Sequence, residues 1–308
     1  MTSSVESTVS RPAGTQERAG RRALLVDFLG IGVQKAGTTW LHQMLGAHPD
    51  IFIARGDDKD LRFFSSYYDF GYRWYERFFI AGDLAKRRGE FSTSYFYCKD
   101  APGRVYRYNP EMRLVLSLRN PVDRLISHHG HEIRIGNITE DLSLEQGIEN
   151  NPSYVEQSMY FTQLSRWLEY FPLSSLHVVI FEELFRDPAT AIRDLYSFLG
   201  VSSAFVPEQL GDKVNEGRIP RSWIVDRSVK IAASSLRGLR LGWVVDRFKK
   251  AGLKKAIARR NTRSDEAMEI DEALRRQLRS VFAEENAKLA RLLARDLAIW
   301  TAQDTPRG

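Results

Sequence analysis

The sequence predicts an α/β fold, a single domain built on a parallel, P-loop-like sheet with helices on both faces. Three observations carry that reading. Apolar runs at residues 28–33, 114–118 and 176–181 lack polar alternation, as strands buried on both faces require. Helical periodicity fills the intervals, at about 39–45, 124–132 and 159–170, the last closed by Pro172. Between the first run and the first helix lies a turn holding Lys35, Gly37, Thr38 and Thr39, where open α/β sheets bind anions.

Taken in chain order, residues 1–20 are rich in Ser, Thr, Arg and Gly and poor in large apolar side chains, so they read as a flexible tail. The domain is then 21–308. Arg21 and Arg22 precede an apolar stretch, but Asp27 interrupts it and Lys35 closes it, so the segment reads as the approach to a buried strand rather than an export signal. Leu274, Leu278, Val281, Phe282, Leu289, Leu292 and Leu293 recur at helical spacing and predict a long closing helix packed on the body. No internal repeat and no Pro- or Ser-rich linker divides the chain.

With 43% hydrophobic and 27% charged residues in 308, the chain has the balance of a folded globular protein. No run approaches the ~20 apolar residues that cross a bilayer. The single cysteine, Cys98, excludes an internal disulfide framework and a cysteine zinc site; it reads as a buried small side chain, and the cytoplasm is the default compartment. The net charge of +6 is unevenly placed. Residues 218–263 hold 14 Lys or Arg against Asp226 and Asp246, a local net of +12, so the rest of the chain carries −6. One basic band on an acidic body suits a phosphate-bearing ligand or an anionic membrane surface better than nucleic acid. That band, which also carries Trp223, Trp243 and Phe248, reads as a lid, a peripheral membrane-surface segment or a solvated basic helix.

The segment Gln34-Lys35-Ala36-Gly37-Thr38-Thr39-Trp40 is an anion cradle: turn N–H groups converge, Gly37 allows close approach, the threonines add hydroxyls and Lys35 a full charge. Lys35 precedes Gly37, the reverse of the order in an ATP-type P-loop. A second anion motif follows more than 80 residues later, Arg119-Asn120-Pro121-Val122-Asp123-Arg124-Leu125-Ile126-Ser127. Arg119 offers a charged fork at a strand end, Pro121 starts a helix and Ser127 adds a hydroxyl.

In this order the two motifs resemble the 5′-phosphosulfate loop and the 3′-phosphate site of sulfotransferases that use 3′-phosphoadenosine 5′-phosphosulfate (PAPS). The resemblance spans about residues 27–300 and is closest to the carbohydrate, heparan-sulfate-type branch and its bacterial relatives. It implies the sulfotransferase fold, PAPS as donor with adenosine 3′,5′-bisphosphate as product, and transfer to a hydroxyl, less readily an amine, of a small-molecule, glycan or lipid-linked acceptor. Gln34 to Trp40 would bind the 5′ side and Arg119 and Ser127 the 3′-phosphate, with Gly217 and Arg218 closing over it from a family-like loop. Lys59-Asp60-Leu61-Arg62-Phe63-Phe64 resembles the family's Lys-Glu-x-His-Phe-Phe, which maps the catalytic base onto Asp60 and an acceptor contact onto Arg62. Lys59 becomes a contact to sulfate or acceptor, and Lys35 the catalytic cation on the leaving phosphate. Glu90 lies in Gly89-Glu90-Phe91-Ser92-Thr93-Ser94-Tyr95, which resembles the family's Glu-Lys-Ser-Pro-x-Tyr with Phe91 in place of Lys and Thr93 in place of Pro. Glu90 is the second candidate for the base.

Sulfuryl transfer needs no metal, and His128, His129 and His131 read as solvated or packing side chains. Two other function classes fit the residues: a kinase-like phosphotransferase, and a non-enzymatic basic module for an anionic polymer or membrane.

Overall fold

The computed structural model describes residues 26–54, 59–82, 84–211 and 270–301, and the backbone of two short strands at 218–220 and 262–264. The expected tail at 1–20, Gly217 and nearly all of the basic band at 218–263 lie outside the described residues.

Five parallel strands form the central sheet: β1 (Phe28–Gly32), β2 (Ile51–Ile53), β3 (Arg87–Phe91), β4 (Arg113–Leu118) and β5 (Leu176–Ile180), in the order β2-β3-β1-β4-β5. The three apolar runs became β1, β4 and β5 within a residue or two of their expected bounds. Alternate residues of these strands feed two cores, as a period of two dictates. Leu29, Ile31, Leu114, Leu116 and Leu118 face one side of the sheet; Phe28, Val115 and Val179 face the other.

The second side is covered by α1 (Thr38–Ala47), α9 (Phe181–Arg186) and α10 (Pro188–Leu199), through Trp40, Leu41, Met44, Leu45, Leu184, Leu195 and Leu199. The first side carries α2 (Phe63–Ser66), α3 (Gly71–Glu76), α4 (Ala101–Tyr108) and α8 (Tyr160–Leu168). A third cluster joins α5 (Pro121–Ile135), α6 (Leu144–Asn150), α7 (Ser153–Glu156) and α11 (Glu272–Leu293), through Val122, Leu125, Tyr154, Leu278 and Phe282. The closing helix is therefore α11, although Val281, expected in its packed face, is 42% exposed. Cys98, expected to be buried, is half-buried. Among the described residues no helix is long and apolar enough to cross a membrane.

The centre of the sheet is built for close approach. A Cβ on Gly30 would sit 2.0 Å from the Phe91 ring on β3, and the β1–β4 register shifts between Gly30 and Gly32, just where the chain leaves the sheet. The two small strands β6 (Arg218–Pro220) and β7 (Thr262–Ser264) pair antiparallel, and β6 runs beside α5. Overpacking at Gly30 has no flexible tip to displace, so Gly30→Ala is expected to cost about 1–3 kcal/mol in chemical denaturation. Gly211→Ala, which meets open space, is expected to stay within about 0.5 kcal/mol.

Candidate active site

The loop after β1 is shaped by left-handed backbone at Lys35 (φ 73°) and Gly37 (φ 77°). For a lysine that conformation costs on the order of 1 kcal/mol and persists only where surroundings hold it. Ser117 on β4 does so from both ends: its carbonyl accepts the Val33 N–H at 2.8 Å, and its buried hydroxyl donates to the Ala36 carbonyl at 2.5 Å. Gly37 then enters α1 with no room for a side chain, since a Cβ would meet Phe181 at 3.1 Å. Thr38 is buried, whereas Gln34, Lys35 and Thr39 are partly exposed. Ala36 and Trp40 bury their side chains in the cores, Trp40 edge-on to Phe185, so what they present to the loop is backbone.

The second motif lies against the first. Arg119 leaves β4 with its guanidinium 4.5 Å from the centre of the Phe181 ring and donates to the Lys35 carbonyl at 3.4 Å. Asn120 caps α5, accepting the Val122 and Asp123 N–H groups, and its own N–H is held by Glu182 at 2.8 Å. Ser127 is half-exposed two turns along α5. Arg124, Ser127, His128 and His131 fall on one broad face of the helix by spacing.

The sequence reading gave no role to Arg124 or to the histidines beyond packing. Arg124 is fully buried, donates to Ser158 Oγ and to the Tyr154 carbonyl, and leaves Nη1 without a partner. His128 is 5% exposed, stands edge-on to Tyr154, and likewise leaves Nδ1 unpaired. Burial first, then the charges of Arg124, His131 and Lys35, push the His128 imidazole down to about 3. Burial, Lys35 and Arg134 push His131 down to about 4. Both rings are neutral near pH 7, first because burial disfavours the charged form and then because the neighbouring charges are positive.

The acceptor-side segment is moulded by the end of β3. Asp60 Oδ2 accepts both the Thr93 N–H and the Thr93 hydroxyl at 2.9 Å, and Asp60 Oδ1 lies 3.6 Å from Lys59 Nζ. Lys59 also donates to Thr38 Oγ1 at 3.2 Å, so one ammonium spans the phosphate loop and the carboxylate. Burial lowers the Lys59 pKa, with Asp60 opposing. Arg62 takes a left-handed conformation (φ 53°) at the start of α2, its N–H donating to Ser92 Oγ at 2.8 Å.

Glu90 is completely buried. It accepts the hydroxyls of Tyr95 at 2.6 Å, Ser92 at 2.7 Å and Tyr75 at 3.3 Å. Burial raises its pKa to about 7 against the pull of these three donors. Both of its oxygens face protein hydroxyls, whereas the Asp60 side chain keeps 20% of its surface open.

The fold thus gathers Lys35, Thr38, Lys59, Asp60 and Arg119 around the C-terminal ends of β1, β3 and β4, with Glu90 beneath them. Ser92, Thr93, Arg124 and His128 join them unforeseen by role, although each stood inside a segment that the motifs already marked. For Arg218 the structure supplies a strand beside α5 and nothing of the side chain.

Comparison with known proteins bears on the family and the fold. The family model described as Sulfotransferase domain matches residues 25–218. The mouse (Mus musculus) heparan sulfate glucosamine 3-O-sulfotransferase 6 is 32% identical over 177 residues, covering 56% of this chain and 51% of that protein. The human (Homo sapiens) heparan sulfate glucosamine 3-O-sulfotransferase 5 is 31% identical over 185 residues, covering 56% and 52%. This chain therefore spans about half the length of the curated relatives it matches. Among solved structures, a sulfotransferase from Alicyclobacillus acidocaldarius superposes with a TM-score of 0.66 at 25% identity, covering 90% of this chain and 99% of that one. With the family model spanning well over half its length, the chain belongs to the sulfotransferase domain family.

Proposed function

We propose that this protein transfers a sulfuryl group from PAPS to a hydroxyl of a glycan or other acceptor, with Asp60 as the base. The observation that carries the reading is the pair of anion sites joined through Arg119 and the Lys35 carbonyl, with Lys59 and Asp60 on their open side. A nucleotide bearing phosphates at both ends fits such a pair. The unpaired Arg124 Nη1 and the depressed imidazoles of α5 are what a site preset for several negative charges should display.

When bound, the donor supplies an activated sulfuryl group on its 5′-phosphate. The chain's own residues then have separable tasks. Loop N–H groups, Thr38 and Thr39 orient the 5′ end, and Lys35 places its charge where the departing phosphate gathers negative charge. Asp60 takes the proton from the acceptor hydroxyl as the acceptor oxygen bonds to sulfur and the bond from sulfur to the phosphate oxygen breaks. Fixed by Thr93 on one oxygen, Asp60 keeps the other available beside Lys59. Arg62 lies at the mouth of this loop, placed to contact the acceptor. Glu90 acts through Ser92, whose hydroxyl it orients to receive the Arg62 N–H.

Kinship supports a glycan acceptor: the relatives named above are described as heparan sulfate glucosamine 3-O-sulfotransferases. Incubation with labelled PAPS and candidate glycans, followed by identification of the labelled product, tests the activity. A thermal-shift panel tests the donor: adenosine 3′,5′-bisphosphate is expected to stabilise the protein and ATP with magnesium is not. The opposite ranking would favour a phosphotransferase.

Asp60→Asn is expected to hold nucleotide affinity while lowering turnover about 10²–10⁴-fold, the usual worth of a positioned base. Glu90→Gln is expected to keep more activity than Asp60→Asn and to weaken acceptor binding. The reverse order would move the base to Glu90.

Arg119→Ala is expected to abolish most of the preference for the 3′-phosphorylated nucleotide over its dephosphorylated form in direct binding. Discrimination unchanged from wild type would remove Arg119 from the 3′-phosphate site.

Protonation supplies an independent check. Phosphate charge favours the imidazolium form, so nucleotide binding should raise the pKa of His131 above its free value of about 4. Between the free and bound values, binding takes up protons, and affinity rises as pH falls. Calorimetry at pH 5 in buffers of different ionisation enthalpy should register that uptake, reduced in His131→Gln. Zero uptake would place His131 away from the phosphates.

A further inference from the structure

Outside the catalytic loops, the feature that asks for a ligand is a polar cavity of about 360 Å³ on the far side of α2. Its floor is one face of α4. Asp100, Gly103, Arg104 and Arg107 follow at helical spacing, Lys99 precedes them, and the rings of Tyr68 and Tyr170 form the flanks.

Three cations line the cavity against one carboxylate, and the carboxylate is already committed. Asp100 pairs with Arg104 at 3.1 Å. Arg104 is in turn fixed by the carbonyls of Phe64 and Ser65, at 3.0 and 3.2 Å, with its guanidinium 4.7 Å from the centre of the Tyr68 ring. Lys99 and Arg107 therefore set the sign of the rim, and both are exposed. Tyr68, which shares the cavity wall with Arg107, is itself held by Tyr72 at 3.0 Å. Gly103 keeps the floor open, since a Cβ there would come within 3.2 Å of the Tyr170 hydroxyl.

We propose that this cavity is a second oxyanion site, distinct from the nucleotide cradle, that takes a sulfate or phosphate group between Lys99 and Arg107. A planar Arg fork and a flexible ammonium are the donors that such oxygens select. Carboxylate or neutral ligands gain less, because they carry less charge or fewer acceptor oxygens. The site communicates with the reaction through Arg104, which holds the backbone of α2, the helix that starts at Arg62. Tyr68 lies six residues beyond Arg62, on the order of 10 Å along a helical path. The group could arrive as a free anion or on a molecule whose ring rests between Tyr68 and Tyr170, an acceptor that already bears a sulfate included.

The test is titration of the full-length protein with inorganic sulfate, followed by residue-resolved NMR at constant ionic strength. Saturable shifts are expected at the amides of 99–107, with affinity at least about tenfold weaker in Arg107→Glu and unchanged in Lys35→Ala. Because Lys35→Ala disables the nucleotide cradle and leaves this cavity intact, failure of the sulfotransferase reading and failure of this site are separable. A sulfated monosaccharide binding more tightly than inorganic sulfate would assign an ester carried on a ring; equal affinity would assign the free anion. Shifts confined to 34–39, equal shifts with chloride, or wild-type affinity in Arg107→Glu would overturn the site.

Discussion

The site depends on one buried serine. Ser117 lies at the centre of the sheet, fully buried, and uses both its carbonyl and its hydroxyl on the loop that leaves β1. A hydroxyl there costs burial of a polar group unless it is hydrogen-bonded. Its bond to the Ala36 carbonyl, with the Ser117 carbonyl on the Val33 N–H, pins both ends of the loop and lets Lys35 hold a left-handed backbone. Since Ser117 is two residues before Arg119, the clamp that shapes the first anion site also sets where the second begins. The Arg119 bond to the Lys35 carbonyl closes that circuit. The distance between the two anion motifs is thereby a property of the β1–β4 pairing, a rigid element, rather than of loops.

A second buried polar group plays the same part for the acceptor side. Glu90 would be expensive in its apolar surroundings without its three hydroxyl donors, and burial raises its pKa to about 7 even against them. Ser92, held by Glu90, receives the Arg62 N–H, and Thr93, next in the chain, holds Asp60. The end of β3 is thus a mould into which the residues 60–62 are pressed. Buried networks of this kind rigidify what they touch, which is the condition for a base to contribute its full effect.

Much of this was legible in the sequence, and the reasons for the rest are physical. β1, β4 and β5 announce themselves because their runs are largely apolar, Ser117 and His177 being the polar side chains inside them. β3 does not. Its Arg87 and Arg88 are edge-directed side chains that bond the Leu199 carbonyl and Asp27, so the strand shows no apolar run. The anion motifs were readable because phosphate recognition constrains spacing along one loop. Thr93 was readable only as a departure from the family's proline, since its bond to Asp60 joins positions 33 residues apart. Glu90 likewise could be marked as a carboxylate at a strand end, whereas its enclosure by Tyr75 and Tyr95 needed the fold. Arg124 and His128 stood in plain view inside a motif. What gives them weight is the field of Lys35 and one another, which exists only after α5 is laid beside the loop.

Two of the departures from the resembled pattern, Asp60 and Thr93, fit together in the structure. Asp60 is one methylene shorter than the glutamate it replaces, so it reaches less far and would wander on a loop. Thr93, standing where the resembled motif has proline, offers an N–H that proline lacks and a hydroxyl besides, and both go to one oxygen of Asp60. The shorter carboxylate is thereby held by two bonds to a strand end instead of being extended by its own length. Lys59 completes the arrangement by joining Asp60 to Thr38 on the phosphate loop. Burial opposes its charge and Asp60 supports it. Protonation of Asp60 would weaken that support, while the bond from Lys59 to Thr38 would still tie it to the loop after β1. A single side chain thus joins the end of β3, through Asp60, to the loop after β1, through Thr38, so the charge state of one is felt at the other.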